Sequence, residues 1–317
     1  MAGTRAGSLD GKVAIVTGAG RGLGKAMTLG LLDAGARVAA VELDAPAIEE
    51  THDAVEDRGA GERFLGIGAD VTYDESGAKI LRATTERFGR LDILINNAGI
   101  STGLLRGEDQ PIGKLWETTP EEFRRVIDVN LVAAFLMTRA VLPTLLARRW
   151  GRIINVTTSL DTMWRSLMQP YGGSKAANEA ILTALAQELD GSGVTANVLV
   201  PGGAADTRLV PRAMAPDRSQ LIPPEVMVAP LIWLCSNRWH QRSTLHCHAL
   251  GRFVAAGRGG EKSRRAGGLA ATRPSSDHAG THAVNAQPGQ ATGETRFWVE
   301  LHGSNPEPLM SALGRYR

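Results

Sequence analysis

The stretch KVAIVTGAGRGLGKA, residues 12–26, decides the fold. It opens as a short run of apolar and β-branched residues and turns abruptly into glycines 18, 22 and 24. An apolar run without alternation is what a strand covered on both faces requires. A glycine-rich strand-to-helix turn lets the backbone fold tightly and approach a ligand closely. The helix behind it offers unpaired N–H groups and the positive end of its dipole to a pyrophosphate. The spacing is Gly-x-x-x-Gly-x-Gly, which differs from the commonest dinucleotide fingerprint. The loop from Gly18 through Arg21, Gly22, Leu23 and Gly24 is the candidate phosphate cradle.

Outward from this loop, β-rich runs alternate with helical stretches. KVAIVT, RVAAVE, RFLGIG, LDILIN, RIINVT and VTANVLV are the expected strands. Helices are expected over 23–34, 47–57, 74–88, 120–147 and 174–189. Thr119-Pro120-Glu121-Glu122 reads as a capping box with proline at the first helical position. This rhythm predicts α/β architecture: one doubly wound Rossmann-type domain over residues 8–256, with a parallel sheet of six to seven strands. Two segments break it. A Gly-rich insertion over 100–118 is longer than most connections. After Cys235, NRWHQRSTLHCHAL has little periodicity, GRFVAAGRGG from Gly251 is the candidate final strand, and RFWVEL from Arg296 could form an isolated strand. Residues 257–317, rich in Gly, Ala, Arg, Ser and Thr, read as a weakly ordered, low-complexity tail.

The second strand ends in Val41-Glu42-Leu43-Asp44. Glu42 follows the glycines by about 18 residues, where an acid can bond the hydroxyls of an adenosine ribose. Its charge would repel the 2′-phosphate of NADP, whereas Arg21 in the loop would attract it. NAD is favoured over NADP, because repulsion inside the pocket acts directly on the distinguishing group.

QPYGGSKAAN, from Gln169, places Tyr171 four residues before Lys175. Residues four apart share a helix face, so the ammonium can sit near the phenol and favour its ionisation. Bringing a phenol from about 10 to about 7 takes roughly 4 kcal/mol, so a second cation is expected beside the pair.

Composition excludes little else. The 317 residues are 43% hydrophobic and 21% charged, with a net charge of +2. That balance gives no case for nucleic acid or an anionic membrane as partner. Two cysteines, Cys235 and Cys247, are too few for a disulfide framework and fit a cytoplasmic protein. The N-terminus lacks the apolar core of a signal peptide, and no uncharged run approaches the ~20 residues that span a bilayer. His240, His246, Cys247 and His248 lack the spacing of a metal site, so no metal is expected.

TGAGRGLG, Asp70-Val71 after the third strand, NNAG at residues 96–99, Asn130, and YGGSK at 171–175 occur together and in this order. The chain from about Lys12 to Ser236 resembles the short-chain dehydrogenase/reductase family. The resemblance implies an NAD(P)-dependent oxidoreductase acting on an alcohol or ketone. Asp70 and Val71 would contact adenine, and Asn97 and Gly99 would line the cofactor pocket. Tyr171 would be the general acid/base, and Lys175 would also bind the nicotinamide ribose. Oxidised nicotinamide itself would be the second cation, and Asn130 would hold a water on the proton path. Thr158, or its neighbour Ser159, takes the place of the family's serine. Pro201 and Gly202 lead to Thr207, which would bind the carboxamide although it stands one residue further along than usual. Met163, Trp164, Leu167, Met168, Leu209 and Met214 are pocket candidates for a medium-sized, fairly apolar substrate. A homodimer or homotetramer through the Asn130 and Tyr171 helices is implied. A non-catalytic dinucleotide sensor, or an enzyme impaired by its divergent C-terminus, are the alternatives.

Overall fold

The computed structural model describes residues 8–107 and 113–236, together with the backbone of 245–249 and 297–301. All of them belong to one compact unit. Strands β1 (Val13–Thr17), β2 (Arg37–Glu42), β3 (Phe64–Gly68), β4 (Ile93–Asn96), β5 (Gly151–Val156) and β6 (Val194–Val200) fall within two residues of their expected starts. They pair in parallel in the order β3-β2-β1-β4-β5-β6. The chain winds outward from β1 to β3 and then returns to place β4 on the other side of β1. That reversal opens a crevice above the carboxyl ends of β1 and β4, where doubly wound folds take their ligands.

Helices cover both faces. On one, α1 (Gly22–Asp33) and α9 (Val228–Cys235) bury Met27, Leu31, Leu231 and Leu234 against Ala14, Val16, Ile95 and Ile154. On the other, α3 (Ser76–Phe88), α6 (Ala133–Ala147) and α8 (Tyr171–Glu188) bury Ile80, Met137, Val141 and Leu182 against Ile15, Leu94, Ile153 and Val198. Burial of β1 is complete on both sides, which is why Val13, Ala14, Ile15 and Val16 are all apolar and the polar Thr17 comes only at its end. The remaining helices are α2 (Ala45–Glu56), α4 (Thr102–Arg106), α5 (Pro120–Ile127) and α7 (Leu160–Trp164).

Three expectations are corrected, and a fourth, the helix over 120–147, holds with one refinement. The helix expected over 120–147 contains a π-turn, Asp128–Val132, between α5 and α6. Its length and hydropathy would also suit a membrane span, but Ala133, Met137, Val141 and Leu145 are buried against the sheet. Helix α8 begins at Tyr171, three residues earlier than expected, so Gly172 and Gly173 are helical. The reason lies in packing: a Cβ on Gly172 would stand 2.4 Å from the Met163 carbonyl oxygen, so only glycine lets α7 lie this close. A further parallel strand, β7 (Leu245–Ala249), lies inside NRWHQRSTLHCHAL, a short segment with no apolar run to mark it. RFWVEL is not isolated: β8 (Phe297–Leu301) pairs antiparallel with β7. GRFVAAGRGG and the rest of the 257–317 tail lie outside the described residues.

Candidate active site

The candidate phosphate cradle is built mostly from main-chain groups. Gly18 has φ +64°, and a Cβ there would stand 2.9 Å from Ala98 Cα. A Cβ on Gly24 would fall 1.9 Å from the Gly18 carbonyl oxygen. The loop therefore folds back on itself as only glycine allows. Arg21 caps α1 without a side-chain hydrogen bond, so the first N–H groups, from Gly22 and Leu23 onward, keep their capacity for an anion. Asn97 braces this loop from β4: its Nδ2 donates to Thr17 O at 2.9 Å and Gly18 O at 3.0 Å. Its N–H and that of Ala98 both donate to Thr17 Oγ1.

At the end of β2, Glu42 Oε2 accepts from the Gly20 N–H at 3.0 Å, and Oε1 accepts from Leu43 N–H at 2.9 Å. Arg21 is ion-paired with Asp44, and that pairing holds the Asp44 carboxyl below its ordinary range. The two charges weighed against each other in the sequence thus have separate partners. Asp70 Oδ1 accepts from Thr72 N–H and Oγ1, and Oδ2 from Arg125 of α5 at 3.4 Å. Burial opposes its ionisation, but Thr72 and Arg125 outweigh burial and leave its pKa lowered. Val71, the next residue, is buried in the core. Pro201 is buried and Gly202 has φ +84°, turning the chain after β6. Thr207 then reaches the cradle: its Cγ2 lies 2.9 Å from where a Gly22 Cβ would be.

The other side of the crevice gathers Tyr171, Lys175, Thr158 and Asn130. Tyr171 and Lys175 are 8% and 4% exposed, and the ammonium lies 6.0 Å from the phenol ring centre. Burial pushes the Tyr171 phenol up to about 12, against the pull of a hydrogen bond with the Thr158 hydroxyl. Burial also pushes Lys175 down to about 8, with Glu179 opposing. Lys175 Nζ donates to the Val156 carbonyl at 3.0 Å. Ser159 instead bonds Thr162 at 2.9 Å, which leaves Thr158 as the hydroxyl beside the phenol.

Asn130 sits in the π-turn, where the side chain is drawn inward. Its Oδ1 accepts from Ile100 N–H at 2.8 Å, and its Nδ2 donates to Ile100 O and Ser174 Oγ, both at 2.9 Å. Gly99 passes over this corner, its virtual Cβ 3.3 Å from Lys175 Nζ and 3.4 Å from Asn130 Oδ1. The NNAG turn thereby joins the two sides of the crevice.

Sequence reasoning missed Thr157, Asn178 and Glu179. Asn178 Nδ2 donates to the Asn130 carbonyl at 2.8 Å, and Asn178 Oδ1 accepts from Asn155. Glu179 accepts from Thr157 Oγ1. The spacing of Glu179, four residues after Lys175, was the available signal. Of the pocket candidates, Met163 is buried at 7% exposure beneath α8 and packs rather than lines, while Trp164, Leu167 and Met214 are exposed. Met168 and Leu209 are partly buried. The side chains of His240, His246, Cys247 and His248 lie outside the description.

These features match a known family. Residues 12–216 fit the family described as short chain dehydrogenase, and the chain belongs to it. Members are NAD(P)-dependent oxidoreductases acting on hydroxyl or keto groups. A 3-oxoacyl-(acyl-carrier-protein) reductase of Vibrio cholerae is 35% identical over 62% of this chain and 74% of its own. An L-fucose dehydrogenase of Oryctolagus cuniculus is 34% identical over 70% of this chain and 73% of its own. Among solved structures, the 3-ketoacyl-(acyl-carrier-protein) reductase of Brucella melitensis, complexed with NADH, superposes with a TM-score of 0.66 at 27% identity. The match covers 75% of this chain and 97% of that one. A metagenomic short-chain oxidoreductase in complex with NADP gives 0.60, also at 27% identity, over 72% and 91%.

Proposed function

We propose that this chain moves a hydride between a nicotinamide dinucleotide and an alcohol or ketone, with Tyr171 as general acid and base. The observation that carries the reading is the convergence of a buried phenol, a buried ammonium and a hydroxyl at the mouth of the β1–β4 crevice. The glycine cradle fits a pyrophosphate, because a Cβ at its turns would collide with backbone and its helix N-terminus has no side-chain cap. A bound nicotinamide supplies the hydride chemistry and, when oxidised, a positive charge.

In oxidation, the Tyr171 phenolate takes the substrate's hydroxyl proton as the carbinol carbon gives up its hydride. In reduction, the phenol returns a proton to the carbonyl oxygen. Thr158 holds that oxygen. Lys175 favours the phenolate and binds the ribose of the dinucleotide. Asn130 keeps Ile100 and Ser174 in place, and the second lone pair of its carbonyl can take a water on the proton path.

Alone in the folded protein, desolvation keeps Tyr171 protonated. Phenolate near neutral pH therefore depends on charge arriving with the oxidised dinucleotide. Glu42, at the end of β2, favours NAD over NADP by repelling a 2′-phosphate, and Arg21 is engaged by Asp44. Exposed Leu160 and Trp164 on α7, Leu167 just after it, and Met214 on the loop after β6 suit a fairly apolar substrate. Phe135 and Ile181, each 50% exposed, flank a groove of about 440 Å³ between α6 and α8, a surface suited to a homodimer or homotetramer.

Tyr171→Phe is the direct test. Turnover should fall at least about a thousandfold while dinucleotide affinity changes less than about threefold. Unchanged turnover would reject the assignment.

A further inference from the structure

Glu179 lies one turn beyond Lys175 on α8, and its carboxylate accepts a hydrogen bond from Thr157 Oγ1. Thr157 is buried, and its N–H donates to Leu199 O at 3.1 Å, just where β5 stops pairing with β6. Its two neighbours both touch the catalytic pair. The Val156 carbonyl receives Lys175 Nζ, and the Thr158 hydroxyl bonds Tyr171. A single carboxylate on α8 thus fastens the segment of β5 that presents both groups.

We propose that Glu179 is a positioning residue of the catalytic centre, anchoring Thr157 so that Val156 and Thr158 are held against Lys175 and Tyr171. The inference rests on the reading of Tyr171 and Lys175 as the reacting pair. Glu179 has a second consequence through its charge. The titratable groups acting on Lys175 are Tyr171 and Glu179, both on α8; β5 contributes the Val156 carbonyl and the π-turn contributes the neutral Asn130 amide beside Gly99. The Glu179 carboxylate counters burial and raises the pKa of the ammonium.

Anchoring and charge separate cleanly by substitution. Glu179→Gln keeps an acceptor for Thr157 and removes the charge. Thr157→Val removes the anchor and keeps the charge. Glu179→Ala removes both. The readouts are the ¹⁵Nζ NMR titration of Lys175 in the full chain without substrate, kcat at a fixed pH, and the melting temperature. Glu179→Gln should lower the Lys175 midpoint by about half a unit to one unit and lower kcat at pH 8 by about two- to fivefold, as the ammonium that favours the phenolate is lost. Thr157→Val should leave that midpoint in place and lower kcat about tenfold or more. Glu179→Ala should do both.

A Glu179→Ala protein with a lowered melting temperature, yet wild-type midpoint and kcat in its folded fraction, would make Glu179 merely structural and overturn the proposal. Unchanged turnover in Tyr171→Phe would instead overturn the parent reading. The Lys175 midpoint requires no turnover, so it still decides whether Glu179 sets the charge.

Discussion

The candidate cradle side of the crevice is held mainly by main-chain groups and amides, whereas the proposed catalytic side buries two ionisable side chains that water would charge more readily. At the cradle, Asn97 and Thr17 tie β4 to β1 through hydrogen bonds of 2.9 to 3.1 Å. On the catalytic side the positions are equally fixed, but the electrostatics are not. Desolvation raises Tyr171 and lowers Lys175, so each sits on the neutral side of its ordinary range. One half is preorganised in shape; the other is a buried pair whose charge state awaits a partner.

Substitutions on the two sides should therefore fail in different ways. The largest effect belongs to the cradle. Gly24→Ala forces a Cβ to within 1.9 Å of the Gly18 carbonyl oxygen. Dinucleotide affinity should drop by more than about a hundredfold, with a loss of about 3 kcal/mol in unfolding free energy. Calorimetric titration and denaturant melts check both, and wild-type binding would break the claim that shape is set there.

Next comes the catalytic side, read through pH. The folded pKa of Lys175 is depressed by burial to about 8 from its ordinary 10.5. Stability linked to it is therefore present above the unfolded value and lost as pH falls through 8. Relative to Lys175→Met, the wild type should gain up to about 3 kcal/mol between pH 8 and 10.5. Parallel stability curves for the two proteins across that window would show that the ammonium is not desolvated.

The smallest effect is one of selectivity. Glu42→Ala removes the carboxylate at the end of β2 and should shift the NAD-to-NADP preference by about tenfold toward NADP. Its Gly20 contact is lost as well, so affinity for NAD should also weaken. An unchanged ratio would assign discrimination elsewhere.

The strands were legible because β1, β2 and β4 are buried on both faces and are apolar at most positions. Glycines 18 and 24 were legible for a similar reason: no other residue fits. The π-turn was not, since Asp128–Val132 continues the helical pattern and differs only in where its carbonyls point. Helix α8 starts early because Gly172 packs against α7, a contact with no local signature. Strand β7 carries histidines where an apolar run was sought. Least legible was the charge state of the catalytic pair. Spacing places an ammonium near a phenol, but burial opposes both charges, and burial is set by residues far apart in the chain.

The central claim is that this phenol becomes easy to ionise only once an oxidised dinucleotide is bound. The chain has three tyrosines, so ¹³Cζ labelling with Tyr171→Phe for assignment isolates the signal. Titrated alone, Tyr171 should stay protonated through about pH 10; saturated with NAD⁺, its midpoint should fall below about 9. A midpoint that NAD⁺ leaves unmoved, or one already below about 9 in the protein alone, would contradict the account.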